Sequence, residues 1–410
     1  LSTLEGKRIL ITGISGFVGS HLSRYLLDMG AEVFGLVRRR ADGVVPKNIC
    51  ERCSDAHILE GDLTDISMLA HALDVAEPDV IFHLAAQSFV PRSFTHPLDT
   101  LQSNTTGTAH LLEAVRIKDM DPKIVFAGSS EEYGLVITSR AQYERALERY
   151  GVVFPEPESI PEVPIAETNP LRPMSPYAVS KVHGELLMRN YHNAYGLRTV
   201  VSRGFNHEGA GRGIMFVTSV ITSQVMKLKL GEADRITIGN VNALRDWSHV
   251  SDIVRGYCLL ADKGKDGDVY NQGSRRTHSV LSYILLSLEQ AGWSVEAIET
   301  MRGGVRVEQP TERDDSEMFG VRFTKTKVDR MLLDDELEFV PEHEGIWVHT
   351  DKGKVPVLFD SRRFRPAEVP ILLADTRKIQ RLGFVAERPL EDIIRDQLNF
   401  FVKKENRMLA

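Results

Sequence analysis

Cysteine is scarce in this chain: Cys50, Cys53 and Cys258 are three residues in 410, too few to build a disulfide framework. Cys50 and Cys53 have the spacing of a zinc half-site, but no second Cys or His pair follows at a matching interval, so both read as ordinary thiols and no metal is expected. Long apolar runs are missing too. No stretch reaches the roughly 18 apolar residues of a membrane helix, and the residues from Leu1 to Lys7 lack the basic and apolar regions of a secretory leader. The expectation is a protein without a membrane partner, placed in the cytoplasm. Nor is there a surplus of positive charge. Fifty Lys and Arg against 57 Asp and Glu leave a net charge of −7, spread over mixed-sign segments, which argues against a nucleic-acid partner and leaves any anionic ligand to local arginine clusters. No low-complexity tract, internal repeat or clean linker divides the chain.

What is present begins at the first strand. Lys7 to Thr12 is a short apolar run suited to a buried parallel strand, and it leads directly into Gly13-Ile14-Ser15-Gly16-Phe17-Val18-Gly19 and a helical pattern through Leu22, Leu26 and Leu27. Gly13 permits the tight turn, Gly16 lets the backbone approach a pyrophosphate at the helix N-terminus, and Gly19 allows close helix–sheet packing. Because strand and helix flank the glycines, the motif reads as a dinucleotide cradle. The next strand, Glu32 to Val37, ends in Arg38-Arg39-Arg40 where an NAD enzyme usually offers a carboxylate to the ribose 2′-hydroxyl. Guanidinium forks suit a 2′-phosphate, so NADP is expected over NAD, with Arg38 and Arg39 ahead of Arg40.

Further strands are predicted at His57–Glu60, Val80–Leu84 and Lys123–Ala127, with helical patterns between them. This alternation predicts an α/β fold with a doubly wound parallel Rossmann sheet, whose ligands sit at the carboxyl ends of the strands. After Ser175-Pro176, the segment Tyr177-Ala178-Val179-Ser180-Lys181 opens a helix, and the four-residue offset puts Tyr and Lys on one face. An adjacent ammonium and a nicotinamide cation both favour the phenolate. Tyr177 can then act as a general base near neutrality.

At this point the chain resembles the extended short-chain dehydrogenase/reductases, and within them the branch of nucleotide-sugar 4,6-dehydratases acting on GDP-mannose. The resemblance runs through Gly13 to Gly19, Val37-Arg38-Arg39, Gly61-Asp62-Leu63-Thr64-Asp65, Leu84-Ala85-Ala86-Gln87-Ser88, Ser129-Ser130-Glu131-Glu132-Tyr133-Gly134 and Ser175-Pro176-Tyr177. It continues through Phe205-Asn206-His207-Glu208, Arg212-Gly213, Phe216-Val217-Thr218, Gly239-Asn240, Arg245-Asp246-Trp247, Thr277-His278-Ser279-Val280 and Arg365-Pro366-Ala367-Glu368-Val369. It implies an internal redox cycle: oxidation at C4 of the sugar, loss of water across C5 and C6, and return of the hydride to C6. Tyr177 would take the 4-hydroxyl proton, Lys181 would hold the nicotinamide ribose, Ser129 would bond the C4 oxygen, and Glu131 would remove the C5 proton.

The resemblance also implies a cofactor set of Gly13, Ser15, Gly16, Phe17, Val18, Gly19, Arg38, Arg39, Asp62, Leu63, Leu84 to Ser88, Tyr177, Lys181, His207 and Arg212. The substrate set is Ser88, Ser129, Glu131, Asn206, Lys227, Arg245, Arg365 and Glu368, meeting a nucleotide-diphosphate sugar, GDP-mannose in this branch. The implied assembly is a homo-oligomer, a dimer or tetramer, with the Arg212 loop near a neighbouring subunit. The implied domains are 1–204 plus 241–276 for NADP, and 205–240 plus 277–410 for a smaller, discontinuous substrate lobe. Two rivals stay open: an NADPH-dependent 4-ketoreductase or epimerase sharing Tyr177 and Lys181, and a non-catalytic NADP-sensing protein that would need neither.

Two segments exceed the resemblance. Ser139 to Tyr150 reads as a short capped helix followed by Pro155, Pro157, Pro161 and Pro164, a lid, a subunit contact or a surface excursion. The charged stretch from Thr311 to Glu344 precedes Gly345 to His349 and Lys354 to Phe359, which read as a hairpin. Asp334-Asp335-Glu336 reads as a solvated face.

Overall fold

A computed structural model describes residues 3–38, 47–364 and 367–408; the expectations for Arg39, Arg40 and Arg365 lie outside the described residues. The first strands form where the apolar runs predict them: β1 Arg8–Thr12, β2 Glu32–Val37, β3 His57–Glu60, β4 Val80–His83, β5 Lys123–Ser129 and β6 Thr199–Gly204. A seventh strand, Asp268–Gln272, joins β6 at the edge, giving the order Asp268–Gln272, β6, β5, β4, β1, β2, β3. Every ladder in this sheet is parallel. The α/β doubly wound reading therefore holds. The chain leaves β1 toward β2 and β3 on one side and returns as β4 on the other, so a crevice opens between the carboxyl ends of β1 and β4.

Alternation along each strand sends successive side chains to opposite faces, and both faces are covered. On one, Ile9, Ile11, Phe82 and Val125 pack against Leu22 and Leu26 of helix α1, Phe17–Asp28, and against Ile253 and Leu260 of the helix Val250–Lys263. On the other, Leu10, Ile81, Ile124 and Phe126 meet Leu69, Leu111 and Met188 from three helices. Each such side chain contributes roughly 1.5–3 kcal/mol of burial.

A second sheet has the order Arg306–Glu308, Val295–Thr300, Gly345–Thr350, Gly353–Phe359, Ile236–Ile238. The expected hairpin is its centre: Ile346 pairs with Val357 and Thr350 with Gly353, across an Asp351-Lys352 turn. Helices Val217–Lys229, Val280–Gln290 and Leu390–Val402 cover it and share one apolar core that includes Ile284, Val348 and Ile394.

The two extra segments are built into this frame. Helix Arg140–Tyr150 is capped as expected, with the Ser139 side chain accepting from the Gln142 N–H and Gly151 in the left-handed region at its end. Its Ala146 packs with Leu135, Ile137 and Val153. Arg172, with 4% of its side chain exposed, holds both oxygens of the equally buried Glu162 at 2.8 Å and also donates to the carbonyls of Leu135 and Pro155. In the charged segment, helix Lys327–Leu333 starts on a reciprocal Thr326–Asp329 cap, and Asp329 also meets His278 Nδ1 at 3.0 Å. Asp334, Asp335 and Glu336 are exposed, as the solvated-face reading expects. The two segments touch where Arg145 lies 3.7 Å from Asp335.

Candidate active site

Close approach explains the glycines. Gly13 has φ +79°, and a β-carbon there would sit 2.9 Å from the Ala85 backbone; at Gly19 it would sit 2.3 Å from the Gly13 carbonyl oxygen. Neither position tolerates a side chain. α1 begins at Gly16 with no side-chain cap and no acidic residue in its first turn. Its leading N–H groups therefore face the crevice unneutralised, with the positive end of the helix dipole, as a diphosphate requires.

The crevice is a cavity of about 910 Å³. Its walls gather residues from seven segments of the chain: Gly13, Ser15, Gly16, Phe17, Val18 and Gly19 after β1; Arg38 after β2; Asp62 and Leu63 after β3; and Leu84, Ala85, Ala86, Gln87 and Ser88 after β4. Ser129 ends β5 and Glu131 follows it, Tyr177 and Lys181 come from the helix Pro176–Tyr195, and Asn206, His207 and Arg212 follow β6. The strand-end rule thus brings nearly the whole expected set together. Gln87 is fixed by cross-bonds: its N–H donates to Asn104 Oδ1 at 2.8 Å, and Asn104 Nδ2 donates to Ser180 Oγ at 2.9 Å, coupling the β4 end to the Tyr177 helix.

At the end of β5, the Glu131 N–H donates to Ser129 Oγ at 3.2 Å while the Ser129 N–H donates to Glu132 Oε1 at 2.6 Å, so a reciprocal cap closes the turn Ser130–Glu132. Behind it lies a polar spine. Arg203 donates to both Glu185 oxygens at 2.7 Å and to the Tyr133 hydroxyl at 2.8 Å, and that hydroxyl donates to Asn271 Oδ1 at 2.6 Å. Lys181 Nζ donates to the Ala127 carbonyl at 2.6 Å and lies 5.9 Å from the centre of the Tyr177 ring.

Burial sets the protonation states here. It pushes the Tyr177 phenol up to about 12, against a lowering bond from Ser129, with Glu131 adding to the rise. Burial pulls Lys181 down to about 8, and only an ionised Glu132 would oppose it. Within the protein alone desolvation dominates the phenol; the expected phenolate rests also on the nicotinamide cation. His207 is drawn down to about 4 by burial and by Arg212, so it is neutral. Arg212 itself stacks 3.6 Å from the centre of the Phe216 ring.

Three expected substrate residues do not line this cavity. Arg245 and Glu368, 123 positions apart, meet in an ion pair of 2.7 Å. Lys227 occupies the last turn of helix Val217–Lys229, half-buried. Asn206 does line it, and its Oδ1 is buried without a hydrogen bond among the described residues. Sequence reasoning missed Asn48, whose Nδ2 donates to the Ser15 carbonyl at 3.1 Å, and Tyr257, both on the cavity wall. Neither carries a local signal, because both reach the site from helices that no motif marks.

The NAD dependent epimerase/dehydratase family description matches residues 9–273. The GDP-mannose 4,6-dehydratase of Yersinia enterocolitica serotype O:8 is 33% identical over 399 residues, covering 94% of this chain and 91% of its own. GDP-mannose 4,6 dehydratase 1 of Arabidopsis thaliana is 34% identical over 357 residues, covering 81% and 90%. Among solved structures, RMD from Pseudomonas aeruginosa complexed with NADPH superposes with a TM-score of 0.66 at 23% identity, covering 96% of this chain and 98% of that one. The last likeness carries the fold.

Proposed function

The chain belongs to the NAD dependent epimerase/dehydratase family, and from that premise we propose that it is a nucleotide-sugar 4,6-dehydratase that converts GDP-mannose to GDP-4-keto-6-deoxymannose with NADP. The observation that carries this reading is the meeting of Glu131 with Ser129, Tyr177 and Lys181 on the wall of the cavity that the glycine turn opens into. A plain hydride-transfer site needs the tyrosine and lysine. A carboxylate facing the same space adds the base that elimination requires.

The uncapped start of α1 and the excluded β-carbons at Gly13 and Gly19 fit a dinucleotide, with Arg38 at the ribose end taking a 2′-phosphate. When bound, the dinucleotide supplies a reversible hydride store and a cation beside the phenol. Tyr177 takes the proton of the sugar 4-hydroxyl, and Ser129 donates its hydroxyl hydrogen to the C4 oxygen. With a ketone at C4, the C5 proton is acid enough for Glu131 to remove, and the acid so formed gives its proton to the 6-hydroxyl, which leaves as water. Lys181, already bonded to Ala127, orients the ribose and supports the phenolate with its charge. Burial of Tyr177 and Lys181 keeps solvent from competing for these protons.

The nucleotide half of the substrate is assigned to the second lobe, with Asn206 at its entrance and Lys227, Arg245 and Glu368 beyond. Residues 1–204 and 241–276 then serve the cofactor and the remainder the sugar nucleotide. The assembly is a dimer or tetramer. Incubation of the purified protein with a panel of nucleotide hexoses, followed by mass spectrometry, tests the reading. GDP-mannose should lose one water with no net change in cofactor. Consumption of NADPH against a 4-keto sugar, with no dehydration of any hexose, would replace the assignment by a reductase.

A further inference from the structure

Glu132 has no part in the chemistry above, yet it is among the most enclosed acids in the protein, with none of its side chain exposed. Its neighbour Glu131 faces the cavity; Glu132 turns the other way, into the core. One oxygen accepts the Ser129 N–H at 2.6 Å, and the other is buried without a hydrogen bond in the ionised form. Arg203 Nε lies 3.8 Å from that second oxygen, but its hydrogen is already given to Glu185, and the rest of the guanidinium goes to Glu185, Tyr133 and the Glu167 carbonyl.

Inside the core, one guanidinium, Arg203, is shared by two fully buried carboxyl groups, Glu132 and Glu185, while Arg189 approaches Glu185 at 3.8 Å from the surface. If both were ionised, the second Glu132 oxygen would carry charge in the core with no hydrogen bond to hold it, an unfavourable state for a buried ion. A proton on the second oxygen supplies the missing hydrogen bond and can be shared with Glu185, the arrangement favoured when two carboxyls approach closely. The groups facing Glu132 are Tyr177, Lys181 and Glu185 from the helix Pro176–Tyr195, Arg203 from β6, and Tyr133 from its own turn. Burial, and then the charge of Glu185, hold the Glu132 carboxyl well above the ordinary range, with Arg203 and the Ser129 N–H opposing. Its ionised form would reach both active-site groups, since negative charge at Glu132 raises Tyr177 and Lys181 alike.

We propose that Glu132 is a positioning residue that works as a neutral carboxylic acid: one oxygen pins the Ser129 N–H, the other carries a proton toward Glu185, and the turn bearing Ser129 and Glu131 is locked without added charge beneath Tyr177 and Lys181. This rests on the dehydratase reading for its kinetic consequence but not for its protonation state. The two are tested separately.

Infrared difference spectra of the purified protein at pH 8, native minus Glu132→Gln, need no substrate. Loss of a band in the protonated-acid carbonyl region is expected; loss of a carboxylate band instead would overturn the proposal. In turnover, Glu132→Gln keeps an acceptor and adds no charge, so kcat should stay within about twofold and its pH profile should not move. A moved profile would show that Glu132 acts through negative charge. Glu132→Leu is equally neutral but cannot hold the Ser129 N–H. It should lower kcat by about 10–100-fold with little change in KM, and a Leu variant with native kcat would end the positioning role. Thermal melts identify any variant that fails to fold, and the Gln variant decides the matter by itself.

Discussion

Replacing Lys181 by methionine should make the protein more stable at pH 7 while removing its activity. Lys181 is 4% exposed, and burial lowers its ammonium from 10.5 to about 8. At about 1.36 kcal/mol for each pKa unit, keeping that charge in the folded state costs about 3 kcal/mol. Methionine fills much of the same volume without charge, but it strands the Ala127 carbonyl that Nζ now satisfies, a loss of about 1 kcal/mol. The net gain is about 2 kcal/mol, or roughly 2–3 °C in Tm if the whole chain melts as one unit.

The pH dependence gives the sharper test. Below about 8 both folded and unfolded chains hold the lysine proton, and the full penalty is present. Between about 8 and 10.5 the unfolded chain still binds a proton that the folded one has released, so native stability climbs relative to the variant; above 10.5 the penalty is gone. Melts of both proteins at pH 7, 8.5 and 10 should therefore show the methionine advantage shrinking and then reversing. A variant less stable than the native protein at pH 7, or a gap that does not change with pH, would refute the argument. Turnover in the same variant should fall by about 10²–10⁴.

Glu131→Gln should retain cofactor and substrate binding but lose about 10²–10⁴ in dehydration; rapid mixing should show reduced cofactor accumulating, because the C4 step proceeds and elimination does not. Gly19→Ala puts a β-carbon 2.3 Å from the Gly13 carbonyl oxygen, so binding of the nicotinamide dinucleotide measured by calorimetry should be lost or severely weakened. Retention of native affinity would mean that the turn can shift. Arg172→Met leaves Glu162 as a buried charge without its partner, a destabilisation of about 3–5 kcal/mol. Limited proteolysis should then cut first within 138–165, whereas a Tm unchanged by the substitution would show that this pair does not hold the segment.

The cofactor half of the site was legible because its function depends on local rules: a turn that excludes β-carbons, strand ends that share one edge of a sheet, and a four-residue offset on one helix. Those rules placed Gly13, Tyr177 and Lys181 without any knowledge of long-range contacts, while Ser129 and Glu131 came from the resemblance. Glu131 and Glu132 show where legibility stops. They are adjacent and chemically identical, yet one faces the cavity and the other the core, and only the path of the turn decides which. The burial of the Tyr177 phenol was illegible for a related reason. A sequence displays a neighbouring charge, but desolvation depends on everything that packs around it. Asn48 and Tyr257 were invisible because helix packing brings them to the cavity, and the Arg245–Glu368 pairing joins segments that no local pattern relates.

The spine from Glu132 through Glu185, Arg203 and Tyr133 to Asn271 also bears on how such a sequence can change over generations. Each member holds a partner drawn from a different part of the chain, and loss of any one strands a buried polar group on another. Single replacements along it pass through a defective intermediate. Its members should therefore be inherited as a block, exchanged together or left alone, while the surface helix of residues 140–150 drifts freely beside them.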